Sequence, residues 1–245
     1  MMKKIHETEH YVFHAAPGSL AEKDINLIAA EQEASYKHIG NMLGLTMKVK
    51  IHYYLCNCRE EVGREIERRF GVYSLNNGCA VSENEIYAVY NQEIKCIGPH
   101  EDTHVLTFSV GRPASSFLEE GLACAMDTQW WGIDNHAWVS YYRKNGSCPS
   151  VYELLHMDWQ TFGTLDCSVT YPVAGSFVTW LLLRFGREKF FQLYTAEDYD
   201  AVAENNLGSE LAVLEADYFG FISLLRGDKA VDARIEALIA ENSNG

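Results

Sequence analysis

Alternating polar and apolar positions mark the strands of the amino-terminal half. Residues 47–53 read Met-Lys-Val-Lys-Ile-His-Tyr, so that every second side chain is apolar. This two-residue period is typical of a strand with one buried face. Shorter apolar runs bounded by turn-forming residues predict three further strands, at residues 10–14, 79–81 and 85–90. A small sheet is therefore expected in the first half of the chain.

Helical spacing governs most of the other apolar positions. Three segments carry apolar side chains three or four residues apart: residues 19–42, 59–70 and 172–185. The last two are followed by Gly71 and Gly186, and glycine commonly ends a helix. The pattern predicts an α+β fold, in which a small mixed sheet with helices precedes a mostly helical carboxy-terminal part.

The length of the chain suits one domain built from two lobes. A chain of 245 residues can bury a substantial core, and 47% hydrophobic with 22% charged residues is ordinary for a globular protein. We predict a single domain over residues 1–245. It would consist of an α/β lobe at residues 1–110 and a helical lobe at residues 111–245.

The charge balance and the apolar runs restrict the partners and the location. Acidic residues outnumber basic ones 34 to 20, a formal net charge of −14. Phosphate binding needs clustered Lys and Arg, so no nucleic-acid partner is expected. No run reaches the roughly eighteen apolar residues of a membrane span, and no apolar signal-peptide core follows Lys4. The seven scattered cysteines fit reduced thiols, and together these features predict a cytoplasmic protein.

The strongest chemical signal is the string His-Glu-Asp-Thr-His at residues 100–104. In a helix, residues four apart lie about 40° apart around the axis, so His100 and His104 can direct two imidazoles at one ion. Zinc accepts such nitrogens at about 2.0 Å. Glu101 adjoins the first ligand, where its carboxylate can take a proton from a zinc-bound water. Pro99 suits the first turn of this helix.

A third zinc ligand is expected in the segment Ser-Phe-Leu-Glu-Glu-Gly-Leu-Ala at residues 116–123. Ser116 and Glu119 have the spacing of a capping box, in which both side chains satisfy backbone amides at a helix start. That role accounts for Glu119 and leaves Glu120 as the predicted ligand. The small Gly121 beside it would let this helix approach the first one closely.

These two motifs together resemble the gluzincin metallopeptidases, the thermolysin-like and M1-aminopeptidase-like group. The resemblance is strongest to small bacterial "peptidase MA-like" domains, and it covers roughly residues 45–225. It implies a zincin-like fold with the metal cleft between the two lobes. It also implies zinc bound by His100, His104 and Glu120, and hydrolysis of peptide bonds with Glu101 as general base.

The resemblance implies two further roles. In gluzincins the strand before the metal-site helix lies at the edge of the cleft and pairs with an extended substrate, a place that residues 85–90 would take. Several members also aim a tyrosine or histidine at the oxyanion that forms during hydrolysis. Tyr171, expected to be extended because Pro172 follows it, would take that place. A tyrosine that only packs its ring there is the alternative.

Two residues depart from the family pattern. Asp102 stands where the family usually has an apolar residue, and its interaction with the positive end of the helix dipole is a structural explanation. Cys124 replaces the aspartate that orients a ligand histidine in thermolysin-like enzymes. Two other functions stay open: a catalytically silent peptide- or protein-binding domain of the same fold, and a zinc hydrolase acting on a non-peptide amide.

Overall fold

The computed structural model describes residues 2–242 of the chain. Its backbone contacts divide the chain into two compact units, Met1–Ser109 and Val110–Gly245. No helix among the described residues is long and apolar enough to cross a membrane.

The first unit is a five-stranded sheet with helices. Its strands are β1 (Lys3–Glu7), β2 (Tyr11–Ala15), β3 (Ile51–Cys56), β4 (Gly78–Ser82) and β5 (Glu85–Val89). Its helices are α1 (Leu20–Lys23), α2 (Ile25–Leu43), α3 (Arg59–Phe70) and α4 (Pro99–Thr107). The strand order is β1-β2-β3-β5-β4; the three inner strands run parallel and each outer strand is antiparallel to its neighbour. The mixed sheet predicted from the sequence is confirmed.

Each face of this sheet is covered by a different set of helices. Tyr11 on β2 is fully buried, and its hydroxyl bonds to residues of α2 and α4, which lie over the first face. Val62 and Ile66 of α3 pack on the second face, in a cluster with Cys56 and Val89. The helix at residues 59–70 has the predicted bounds, because its apolar stripe and the left-handed Gly71 (φ 74°) define both its face and its end.

The structure corrects the predicted position of one strand. Residues 85–89 form β5, which is hydrogen-bonded to β3 on one side and to β4 on the other. A strand paired on both sides has no free edge, so residues 85–90 cannot recognise a peptide by strand addition. The outer strand of this pair is β4.

The second unit is mostly helical. Its helices are α5 (Ser116–Asp127), α6 (Asn135–Lys144), α7 (Val151–Leu155), α8 (Trp159–Phe162), α9 (Cys167–Tyr194), α10 (Tyr199–Val202), α11 (Leu211–Leu224) and α12 (Lys229–Asn242). Helix α9 is interrupted at Gly186, whose backbone is not helical (φ 79°, ψ 164°). A short hairpin, β6 (Gln129–Trp130) and β7 (Ile133–Asp134), follows α5, and a π-helical turn (Ala203–Leu207) follows α10. The predicted α+β class with a helical carboxy-terminal part is confirmed.

The two central helices of this unit, α5 and α9, meet at glycines. A methyl group added at Gly121 would lie 2.8 Å from Val178 Cγ2, and one added at Gly175 would lie 2.7 Å from Cys124 Cβ. Such distances leave no room for any side chain. Gly121 therefore permits helix α5 to pack closely against helix α9.

Candidate metal centre

Helix α4 carries both predicted histidine ligands. It begins at Pro99, and the imidazole rings of His100 and His104, one turn apart, have centroids separated by 5.2 Å. One nitrogen of each ring lies within 4.8 Å of the other. Both side chains are half-buried. Two imidazoles at this spacing could bind one ion, and zinc accepts such nitrogens readily.

Glu101 lies against the beginning of strand β4. A methyl group added at Gly78 would lie 2.6 Å from Glu101 Oε1 and 2.8 Å from Cys96 Sγ. Only glycine at position 78 therefore leaves room for the Glu101 carboxylate. Glu101 is half-buried, which suits a group that must reach a reacting water.

Asp102 has surroundings unlike those expected for an exposed helix-start acid. It is fully buried, and its Oδ2 accepts hydrogen bonds from Tyr11 Oη (2.5 Å) and Gln32 Nε2 (3.0 Å). Burial and the Asp102 carboxylate both raise the pKa of Tyr11, which keeps its hydroxyl protonated and able to donate. The dipole explanation for Asp102 is therefore incomplete, because specific donors hold this side chain inside the protein.

Glu120 and Glu119 lie in the first turns of α5 and differ in burial. Glu120 is half-buried, as a metal ligand open to solvent would be. Glu119 is buried, and burial together with the adjacent Glu120 raises its pKa to about 7. The predicted capping box is wrong: the N-cap is Ser115, without a side-chain cap, and neither Ser116 Oγ nor Glu119 Oε2 has a hydrogen-bond partner among the described residues.

Tyr171 is helical, contrary to the extended conformation predicted for it. Helix α9 begins at Cys167 after the N-cap Asp166, whose side chain accepts a hydrogen bond from the backbone amide of Ser168. Pro172 therefore lies inside the helix. The half-buried Tyr171 ring packs edge-on against Trp130, with centroids 5.1 Å apart. This contact orients the ring and is compatible with either of its two predicted roles.

Residues 130–146 are rich in aromatic side chains and form regular secondary structure. It contains the β6–β7 hairpin and helix α6, which begins after Asp134 as N-cap. His136 on α6 shares a hydrogen bond of 2.6 Å with the buried Ser176. Burial lowers the pKa of His136. That partner explains His136 as a structural residue.

A second cluster of possible ligands occurs in the first unit. One atom each of Glu9, His10 and Glu33 lies within 4.8 Å of the others. Both oxygens of Glu33 already accept hydrogen bonds, from the backbone amide of His10 (2.9 Å) and from its ring nitrogen Nδ1 (2.7 Å). The cluster is thus a hydrogen-bonded His10–Glu33 pair with a neighbouring acid, and we assign it no metal.

Sequence reasoning missed three residues around α4: Tyr11, Gln32 and Gly78. The first two lie far away in the sequence, and only the folded chain brings them to α4. The one available signal was Asp102 itself, because an acid at an apolar position requires buried donors.

The similarity of this chain to known proteins lies in its fold. No protein-family model matches the chain, and no curated protein matches its sequence. The chain is similar in fold to a crystal structure of an M1 zinc metallopeptidase from Deinococcus radiodurans, a mutant bound to a Tyr-Ser-Ala substrate. The TM-score is 0.50 at 14% identity, over 91% of this chain and 51% of that one. The fold is thus zincin-like, and this chain spans about half the length of that enzyme.

The donor set of this chain fits zinc. Two neutral imidazoles and one carboxylate are the ligands of many zinc sites that keep an open coordination position for catalysis. The half-buried state of His100, His104 and Glu120 leaves each of them able to contact an ion.

Proposed function

We propose that the protein is a zinc-dependent metallopeptidase that hydrolyses peptide bonds. The observation that carries the proposal is the pair of half-buried imidazoles on one turn of α4, His100 and His104, with Glu101 between them in the sequence. The fold similarity to an M1 zinc metallopeptidase supports it. In the proposal, His100, His104 and Glu120 bind the zinc ion.

In the proposed reaction, the metal, Glu101 and Tyr171 have different roles. Zinc held by His100, His104 and Glu120 would lower the pKa of a coordinated water and polarise the scissile carbonyl. Glu101 takes the proton from the attacking water and delivers it to the leaving amine. The hydroxyl of Tyr171 donates a hydrogen bond to the oxyanion.

The proposed partner is a peptide or a protein, and the proposed location is the cytoplasm. The net charge of −14 supports a partner other than nucleic acid. A bulk-negative surface also repels acidic substrates, so we expect neutral or basic peptides to be cleaved faster than acidic ones.

The test combines metal analysis with a peptide library. We expect the purified protein to carry about one zinc ion per chain and to cleave members of a quenched-fluorescence peptide library. Glu101→Gln should keep the zinc and lose hydrolysis, because the amide preserves the shape but cannot accept the proton. The matched control is Glu93→Gln, at an exposed glutamate of the same unit.

The possible outcomes separate the alternatives. Zinc without turnover on peptides would favour the catalytically silent binding domain. Turnover of a library of simple non-peptide amides without peptide cleavage would favour the non-peptide hydrolase. Absence of zinc from freshly purified protein would contradict the site itself.

A further inference from the structure

The N-cap residue of helix α4 has no side chain. It is Gly98, with φ 115° and ψ −166°, a backbone conformation that side-chain-bearing residues rarely adopt. Because glycine has no side chain, the N-cap itself makes no side-chain hydrogen bond to the helix. A side chain from another element can therefore hold this turn, which carries His100 and Glu101, in place.

The side-chain amide of Gln32 on α2 fills that role. It is fully buried, and its Oε1 accepts from the backbone amide of Gly98 (2.6 Å), while its Nε2 donates to the carbonyl of the same residue (3.2 Å). Nε2 also donates to Asp102 Oδ2 (3.0 Å). One side chain thus contacts the N-cap and the first full turn of α4.

A second donor completes the network. The hydroxyl of Tyr11 on β2 lies 2.5 Å from Asp102 Oδ2 and 3.0 Å from the carbonyl of Gln32. All three side chains are completely buried. The network therefore ties α4 to the sheet as well as to α2.

The helix geometry links this network to the proposed metal ligands. Successive residues in a helix are rotated by about 100°, so Asp102 lies roughly 200° from both His100 and His104. Fixing Gly98 and Asp102 against the core consequently fixes the rotation of α4 about its own axis. That rotation decides where the two imidazoles and Glu101 project.

We propose that Gln32, with Tyr11 and Asp102, is a positioning residue of the metal helix. The inference rests on the proposed function and applies to this chain's own departure from the family pattern, the acid at position 102. An apolar residue there would fill space without selecting an orientation, whereas the directional hydrogen bonds that Asp102 Oδ2 accepts from Tyr11 and Gln32 favour one arrangement of the helix. The network acts through His100, His104 and Glu101 and itself contacts no substrate.

The test replaces one member at a time in the full chain. Gln32→Met keeps the length of the side chain and removes its amide, and Tyr11→Phe removes only a hydroxyl. The matched control is Tyr36→Phe on the same helix α2, whose hydroxyl accepts a hydrogen bond from the amide of Met47 (2.7 Å) and has no part in the network. Zinc affinity is measured by competition with a chelator, together with the visible spectrum of the cobalt-loaded protein.

We expect Gln32→Met and Tyr11→Phe to weaken zinc binding at least tenfold and to change the cobalt spectrum. With a peptide substrate, kcat should fall at least tenfold while KM stays within threefold. Tyr36→Phe should lower the Tm without changing either metal readout. If Gln32→Met does not fold, Tyr11→Phe alone decides the matter.

Other results would overturn the inference. Suppose that Gln32→Met or Tyr11→Phe folds, keeps zinc affinity and kcat within twofold of wild type, and leaves the cobalt spectrum unchanged. That result would show that the network only stabilises the fold. A wild type that binds zinc without cleaving peptides removes the proposed function, yet the two metal readouts still test positioning. A wild type that binds no zinc contradicts both.

Discussion

The hydroxyl of Tyr142 donates a hydrogen bond of 2.9 Å to the backbone carbonyl of Ser168. In an uninterrupted helix that carbonyl would accept the amide of residue 172, but Pro172 has none to give. Tyr142 is buried and comes from the neighbouring helix α6. A side chain thus supplies the donor that the proline removes, which explains how α9 continues through Pro172.

We predict that Tyr142→Phe lowers the free energy of unfolding by about 1–2 kcal/mol, because it leaves a buried carbonyl without a partner. Urea denaturation measures it, with Tyr141→Phe as the control at the adjacent, less buried tyrosine. In a Pro172→Ala background the penalty should shrink, since the alanine amide can bond to Ser168 itself. An equal penalty in both backgrounds would show that the hydroxyl does not substitute for the missing amide.

The predicted zinc ligands can be tested separately. His104→Ala or Glu120→Ala should lose most of the bound zinc, because two remaining protein ligands compete poorly for the ion. Elemental analysis after gel filtration measures the loss, and His38→Ala, at an exposed histidine of α2, should retain full zinc. Full occupancy in both ligand variants would mean that the ligand assignment is wrong.

Gly78→Ala tests whether the space beside Glu101 matters. The added methyl group would lie 2.6 Å from Glu101 Oε1, so the carboxylate must move. We expect at least a tenfold lower kcat with zinc content unchanged. Gly220→Ala is the control, since an added methyl group there meets nothing within 4 Å. An unchanged kcat in Gly78→Ala would show that Glu101 adapts without functional loss.

The fold was largely predictable because its signals are local. The apolar stripe before Gly71 defines α3, and alternation led to β3, although that strand runs over Ile51–Cys56 instead of residues 47–53. Strand β1 (Lys3–Glu7) was missed because only one of its five residues, Ile5, is strongly apolar. An outer strand is stabilised by pairing with its neighbour, so its own sequence needs little alternation of polar and apolar residues.

The candidate site was less predictable because its details depend on contacts between distant segments. The string at residues 100–104 names possible ligands from sequence alone, but the partners of Asp102 lie on β2 and α2. Likewise, the rule that a residue before proline is extended failed at Tyr171, because Tyr142 compensates for the proline. Sequence spacing also predicted a capping box formed by Ser116 and Glu119. In the structure the N-cap is Ser115, and Glu119 is buried, which raises its pKa.

His136 should make stability depend on pH. Burial lowers its pKa below the ordinary value of 6.5, so the folded protein binds this proton less tightly than the unfolded chain does. The stability that neutral His136 contributes is therefore fully present above about pH 6.5, and it is lost as the pH falls below that value. His136→Gln removes the titrating group and keeps a polar partner for Ser176. Its loss of unfolding free energy between pH 7.5 and 5.5 should be smaller than that of wild type.

The role of Tyr171 is decided by removing its hydroxyl alone. Tyr171→Phe keeps the ring that packs edge-on against Trp130, so stability should hardly change. If the hydroxyl donates to the oxyanion, its loss raises the barrier by roughly 3 kcal/mol, which lowers kcat about a hundredfold. Zinc content and Tm should equal those of wild type, and Tyr152→Phe, at an exposed tyrosine, should keep full activity. A kcat within a few-fold of wild type would make Tyr171 a packing residue and direct the search for the oxyanion donor to other tyrosines and histidines of the chain.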